Sequence, residues 1–147
     1  MPDETKERIE TEIEVKTYIQ RLQYAIKNGA RIEFQEFRRV DDTRDEHYTN
    51  QYTVRTLFPD ENPLDALKRE LLTLTYEDYM RTVKDLRFPK RSEMREFGKT
   101  YNGNEDVYIK VRVELLGQHG LTSTFVMSFH FAEKPFKDEM FPYKRNN

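Results

Sequence analysis

Two neighbouring stretches, VYIKVRVEL (107–115) and TSTFVMSFHF (122–131), decide the fold. In the first, Val107, Ile109, Val111, Val113 and Leu115 alternate without error with Tyr108, Lys110, Arg112 and Glu114. Period-2 alternation of that length specifies a strand with one buried and one wet face. The second puts Phe125, Met127, Phe129 and Phe131 on one side and Val126, Ser128 and His130 on the other. Gly117-Gln118-His119-Gly120 between them makes the pair a hairpin. A two-residue loop would set Arg112 opposite Phe125, a charge on the apolar face. A three-residue loop with Gly120 in the left-handed region pairs Val113 with Phe125 and Ile109 with Phe129. That register also sets Tyr108 beside His130, Lys110 beside Ser128 and Arg112 beside Val126 on the wet face.

Upstream, Thr11 with Glu14 forms a capping box, and Val15, Tyr18, Ile19, Leu22, Ala25 and Ile26 follow at helical spacing. Asn28-Gly29 closes that helix. RIEFQEFRRV (31–40) reads as a strand, and HYTNQYTVRTLF (47–58) as its partner in a first hairpin. Asn62-Pro63 starts a short helix with Leu64, Leu67, Leu71 and Leu72 as its stripe. Thr75 with Asp78 caps a second, running to about Leu86, and Phe88-Pro89 ends it. A basic connector, FPKRSEMREFGK (88–99), leads to the main hairpin. The charged tail offers Phe136, Phe141 and Tyr143 as anchors. The expected class is α+β in a single domain, 1–147. It has an N-terminal helix, short helices and a curved antiparallel sheet built on the C-terminal hairpin.

Composition narrows the function. Apolar residues make up 36% and charged residues 35%, so ten Phe and nine Tyr must supply the bulk of a thin core. No stretch reaches the roughly 20 apolar residues of a membrane span, and the charged N-terminus has no secretory h-region. The expected location is cytoplasmic, without membrane contact. There is no cysteine, hence no disulfide or thiolate zinc site. The net charge of −2 creates no global field for nucleic acid, but Arg81, Lys84, Arg87, Lys90 and Arg91 oppose only Asp85 in one short stretch. His47 and His119 fall in turns. Asp41, Asp42, Asp45 and Glu46 match no cation loop, so no metal and no cofactor is expected.

The wet face of the hairpin carries the chemical signal. Tyr108, Lys110, Arg112, Ser128 and His130 gather cations, hydroxyls and an imidazole on two paired strands. Such a set suits cleavage of RNA without metal: one group takes the 2′-hydroxyl proton, cations hold the phosphorus charge, and an acid protonates the leaving oxygen. Arg81 adds a phosphate contact. Lys84, Arg87, Lys90, Arg91 and Ser128 are the candidate RNA-binding residues. The competing reading is the ordinary exposed side of a one-sided antiparallel sheet.

The segments LQYAIKNGA (22–30), LTLTYEDYMRTV (72–83), EDVYIKVRV (105–113) and FVMSFHFAEK (125–134) resemble, in order and separation, the MqsR toxins. These are a branch of the RelE/ParE-like bacterial ribonuclease toxins, and the likeness covers about half the chain. The resemblance implies a RelE-like fold, a type II toxin–antitoxin system, mRNA cleavage with the ribosome as a possible partner, and an antitoxin protein. Tyr108 matches the family's active-site tyrosine, and Arg81 stands where the family has a lysine, keeping charge but not geometry. The family's glutamine has no clear counterpart, the nearest positions being Gly98 and Lys99. The alternative on the same fold is a non-catalytic phage or mobile-element protein that binds an unidentified macromolecule.

Overall fold

In a computed structural model, which describes residues 5–36, 45–116 and 121–144, helices and a six-stranded sheet share one hydrophobic core. The chain runs through β1 (Thr5–Arg8), α1 (Glu12–Lys27), β2 (Arg31–Phe34), α2 (Asn50–Leu57) and α3 (Pro63–Leu71). It continues through β3 (Tyr79–Asp85), β4 (Met94–Tyr101), β5 (Glu105–Leu116) and β6 (Leu121–Phe131). The sheet order is β1-β3-β4-β5-β6-β2, antiparallel throughout except for the parallel β2–β6 pair. The α+β class and the sheet built on the C-terminal hairpin stand. Among the described residues no helix is long and apolar enough to cross a membrane.

α1 forms where the sequence places it. Thr11 N–H donates to Glu14 Oε1 at 3.1 Å, and Glu14 N–H donates to Thr11 Oγ1 at 3.2 Å. Val15, Ile19, Leu22, Ala25 and Ile26 are buried, and Gly29 ends the helix at φ +84°. α1 carries the chain from one sheet edge to the other. α3 starts at Asn62, whose Oδ1 accepts from Leu64 and Asp65. It buries Ala66, Leu67 and Leu71 but leaves Leu64 40% exposed, correcting that end of the expected stripe.

The hairpin is correct in one half and corrected in the other. Val107↔Phe131, Tyr108↔His130, Ile109↔Phe129 and Lys110↔Ser128 pair as expected. Beyond Lys110 the register shifts, so Val111 faces Val126, Arg112 faces Phe125 and Val113 faces Thr124. Met127 is therefore a bulge, one extra residue on β6. It turns Val126 and Thr124 into the core, both fully buried, and leaves Arg112, which the register sets opposite Phe125, on the outer side of the sheet. The turn at 117–120, with Gly120 and His119, lies outside the described residues, as do Asp41 and Asp42.

Three assignments change. Residues 47–58 are not a strand: after a 3₁₀ turn at Glu46–Tyr48, Thr49 accepts from Tyr52 N–H and starts α2. β2 therefore has no hairpin partner there and pairs with β6 instead. β-branched Thr53, Val54 and Thr56 favoured the strand reading, but the helix is fixed by what it does to β6. β2 runs out at Phe34, leaving the lower edge of β6 without a neighbouring strand. Asn50 fills the gap, donating to Met127 O at 3.2 Å and accepting from Phe129 N–H at 3.0 Å. Thr53 Oγ1 accepts from Phe131 N–H at 2.8 Å.

Residues 75–86 are not a helix either. Asp78 does reach back to Thr75 N–H at 2.9 Å, but the signal closes a single 3₁₀ turn at Tyr76–Asp78. Pairing with β1 and β4 then holds Tyr79–Asp85 as a strand, tertiary hydrogen bonds overriding local preference. The basic connector contains β4, an inner strand whose charged residues hid its alternation. Arg95 on its core side donates to the buried Glu10 at 2.8 Å while its guanidinium lies over the Tyr18 ring.

The edge bonds give a direct test. Thr53→Val leaves the buried Phe131 N–H without an acceptor and should cost about 1–3 kcal/mol, whereas Thr53→Ser should retain most of the stability. Urea unfolding midpoints compare the two, and equal losses would show that the hydroxyl is not the stabilising group.

Candidate functional site

The side of the sheet away from the hydrophobic core is built from alternate residues of four strands. Register places Arg81 opposite Glu96, Glu96 opposite Lys110 and Lys110 opposite Ser128. Glu7 of β1 closes the row by pairing with Arg81. The result is a ladder across the sheet, acid-base-acid-base, from Glu7 through Arg81 and Glu96 to Lys110. Arg81 Nε donates to Glu96 Oε1 at 2.6 Å, and Lys110 Nζ lies 3.9 Å from Glu96 Oε2. The Glu96 side chain is only 2% exposed. Burial works against the charge of Arg81, but the hydrogen bond and charge of Glu96, with Glu7, outweigh it and raise its pKa above the ordinary range.

In the adjacent row Gly98 faces Tyr108, and Tyr108 faces His130 with ring centroids 5.3 Å apart. His130 Nδ1 lies 3.0 Å from the carbonyl of Phe131, which favours the tautomer with the proton on Nδ1 and the lone pair on Nε2. Arg112 and Ser128 share this side of the sheet but are 8% and 5% exposed. The sequence thus brings together Tyr108, Lys110, Arg112, Ser128 and His130, and the fold adds Arg81 at the middle of a row.

The basic stretch behaves differently. Without a helix, Lys84, Arg87, Lys90 and Arg91 form no stripe. Lys84 Nζ donates to the carbonyls of Pro89 and Arg91 and so staples the β3–β4 turn. Arg87 holds Asp85 through two side-chain bonds of 3.1 Å. Lys90 and Arg91 are exposed on that turn, with the Arg91 guanidinium 3.9 Å from the centre of the Phe88 ring. His47 stacks on Phe131 at 5.2 Å, as an exposed member of an aromatic cluster with Tyr48 and Tyr52. Among the described residues no three His, Cys, Asp or Glu side chains group as metal ligands.

Two residues of the site have roles that the sequence alone does not give. Glu96 sat in what looked like a basic connector, and only its opposition to both Arg81 and Lys110 gives it meaning. Gly98, which the sequence offers only as a position nearest the family's glutamine, lies in an inner strand with two rings of the C-terminal segment seated on it. A Cβ there would lie 2.7 Å from Phe136 Cε2 and 2.9 Å from Phe141 Cζ. The segment is held further by Phe136 N–H donating to Asp106 Oδ2 at 2.8 Å and by Tyr143, which donates to the Glu10 carbonyl and stacks on Tyr79. Together Gly98, Asp106, Phe136 and Phe141 line a pocket, which Asp78 and Lys99 also border.

Comparison with known proteins finds no matching family model, no matching curated protein and no matching solved structure.

Gly98→Ala should displace the two rings and cost about 1–3 kcal/mol, the usual range for overpacking. Phe141→Ala in the same chain should recover part of that loss, because the two positions share one space. A double-mutant cycle from thermal unfolding measures the coupling, and strict additivity would separate Gly98 from the tail.

Proposed function

We propose that the face carrying Glu96, Tyr108, Lys110 and His130 is a metal-independent endoribonuclease site of a toxin-like protein. The observation that supports the reading most is Glu96, a buried carboxylate held between Arg81 and Lys110 one row from the Tyr108–His130 pair. The residues named from sequence contained cations and an acid but no carboxylate base, and Glu96 supplies one.

The chemistry then balances. An RNA phosphate competes with Glu96 for Arg81 and Lys110, which frees the carboxylate as the phosphate arrives. Glu96 takes the proton of the ribose 2′-hydroxyl, whose oxygen bonds to phosphorus. The bond from phosphorus to the 5′-oxygen breaks, and that oxygen takes a proton from His130 in its imidazolium form. The products are a 2′,3′-cyclic phosphate and a 5′-hydroxyl. Arg81, Lys110 and Arg112 hold the charge that develops on the phosphoryl oxygens, and Tyr108 orients His130 and donates to one of them. Such a protein would require an antitoxin partner to cover this face in its host, and mRNA, free or on the ribosome, is the substrate class.

A second reading has its own observation. Cross-strand acid–base pairs stabilise an ordinary wet sheet face, and the small exposure of Glu96, Arg112 and Ser128 suits packing better than turnover. On that reading the protein binds a macromolecule without cleaving it.

The test is incubation of the purified protein with RNA, with and without ribosomes, in the presence of EDTA. Cleavage leaving 2′,3′-cyclic phosphate ends is the expected result. Glu96→Gln, His130→Ala and Tyr108→Phe should each slow it by about 10²-fold or more, the scale of losing one proton-transfer or charge-stabilising group. Glu114→Ala should do much less. Wild-type protein inert towards RNA under all these conditions would leave the binding protein as the reading.

A further inference from the structure

β2 is the last strand of the sheet, and its outer edge has an unusual charge pattern. Gln35 N–H donates to Val126 O, so the backbone groups of Arg31, Glu33 and Gln35 turn towards β6. By the alternation of a strand, those of Ile32 and Phe34 turn away from the sheet. Among the described residues no strand lies on that side. An open groove runs along it instead, walled by Gly29, Ala30, Ile32 and Phe34 on the strand side and by Leu64 and Lys68 of α3.

Exposed edges are commonly guarded by charged side chains that discourage a second strand. Here the guards have opposite signs. The side chains of Arg31 and Glu33 are 79% and 36% exposed, and they stand 3.5 Å apart on the same face of the strand.

We propose that two copies of this chain associate through β2, antiparallel about a twofold axis at Ile32, so that two six-stranded sheets become one. Charge selects this register. Only residues with outward backbone groups can exchange hydrogen bonds, which limits the axis to a few positions. An axis at Arg31 or at Glu33 sets like charges directly opposite each other, and one at Phe34 sets Glu33 opposite Gln35. With the axis at Ile32, Ile32 exchanges both its backbone bonds with Ile32 of the second copy. Arg31 then faces Glu33 of the second copy, and the twofold repeats the pair. Both pairs fall at non-hydrogen-bonded positions, where Cα atoms of opposed strands approach to about 4.5 Å and side chains are closest. The sequence Arg-Ile-Glu is complementary to itself when run in reverse, the condition for an isologous interface.

The proposal is independent of the catalytic reading, and its test uses exposed side chains whose replacement leaves the core untouched. Sedimentation velocity of the full chain across micromolar to millimolar concentrations should show a reversible dimer that weakens with salt. Arg31→Glu and Glu33→Arg should each weaken association by about ten-fold or more, since each creates two like-charge oppositions. The double variant R31E/E33R restores opposite signs at both positions and should recover the dimer. Circular dichroism and unfolding midpoints of all three variants at monomeric concentration should match the wild type. Hydrogen exchange gives a second readout: dimerisation should protect the amides of Ile32 and Phe34, leaving those of Glu33 and Gln35 unchanged. A wild type that stays monomeric throughout would overturn the proposal. So would a dimer indifferent to the single reversals, or a double variant that fails to recover.

Discussion

The backbone of β6 between Met127 and Phe131 is the constraint on which the rest of the fold depends. It lies against Val107 and Ile109 on one side, and on the other its neighbouring strand has already ended. Buried N–H groups left unpaired there would each cost about 1–3 kcal/mol. Asn50 and Thr53 supply the missing acceptors from a helix. The bulge at Met127 belongs to the same arrangement, because Asn50 bonds the carbonyl of the bulged residue as well. The bulge in turn decides which side chains of β6 enter the core and which stand with Arg112 outside it. One Asn therefore links the position of α2, the end of β2 and the composition of the candidate site.

The outer face shows how a sheet can hold charge at low exposure. Arg95 and Glu96 are sequence neighbours on an inner strand and point to opposite faces, and each finds a partner from a distant segment. Glu10 takes Arg95 under the sheet, and Arg81 takes Glu96 above it. Removing one partner of such a pair strands a charge with little access to water, so stability and any chemistry at this face are coupled.

The most legible elements were those whose signals are local. The capping box at Thr11, the Gly29 terminator and the Asn62-Pro63 start all correspond to real helix ends, because caps are satisfied within four residues of chain. The alternation of residues 107–113 named the right face for Tyr108, Lys110 and Arg112. The features that stayed hidden were decided at a distance. Thr75 and Asp78 bond as their spacing implies, yet Tyr79–Asp85 becomes a strand because β1 and β4 pair with it. Residues 50–57 carry strand-prone side chains but serve as a cap on another strand's edge. Glu96 and Gly98 acquire roles only from their opposite neighbours: two cations across the sheet for one, two phenyl rings for the other. The bulge was illegible for the same reason, since either strand read alone alternates well.

The order of the strands also has a consequence in time. The two edges of the sheet come from the first part of the chain, β1 and β2, and its centre from the second. Arg31 meets Ser123, and Thr5 meets Asp85, so neither early strand can find its place until most of the polypeptide has left the ribosome. Such distant pairings raise contact order and slow folding. α1, whose caps are local, joins the two early strands at its ends. In chain order the two edge strands therefore precede the four strands, β3 to β6, that stand between them in the finished sheet.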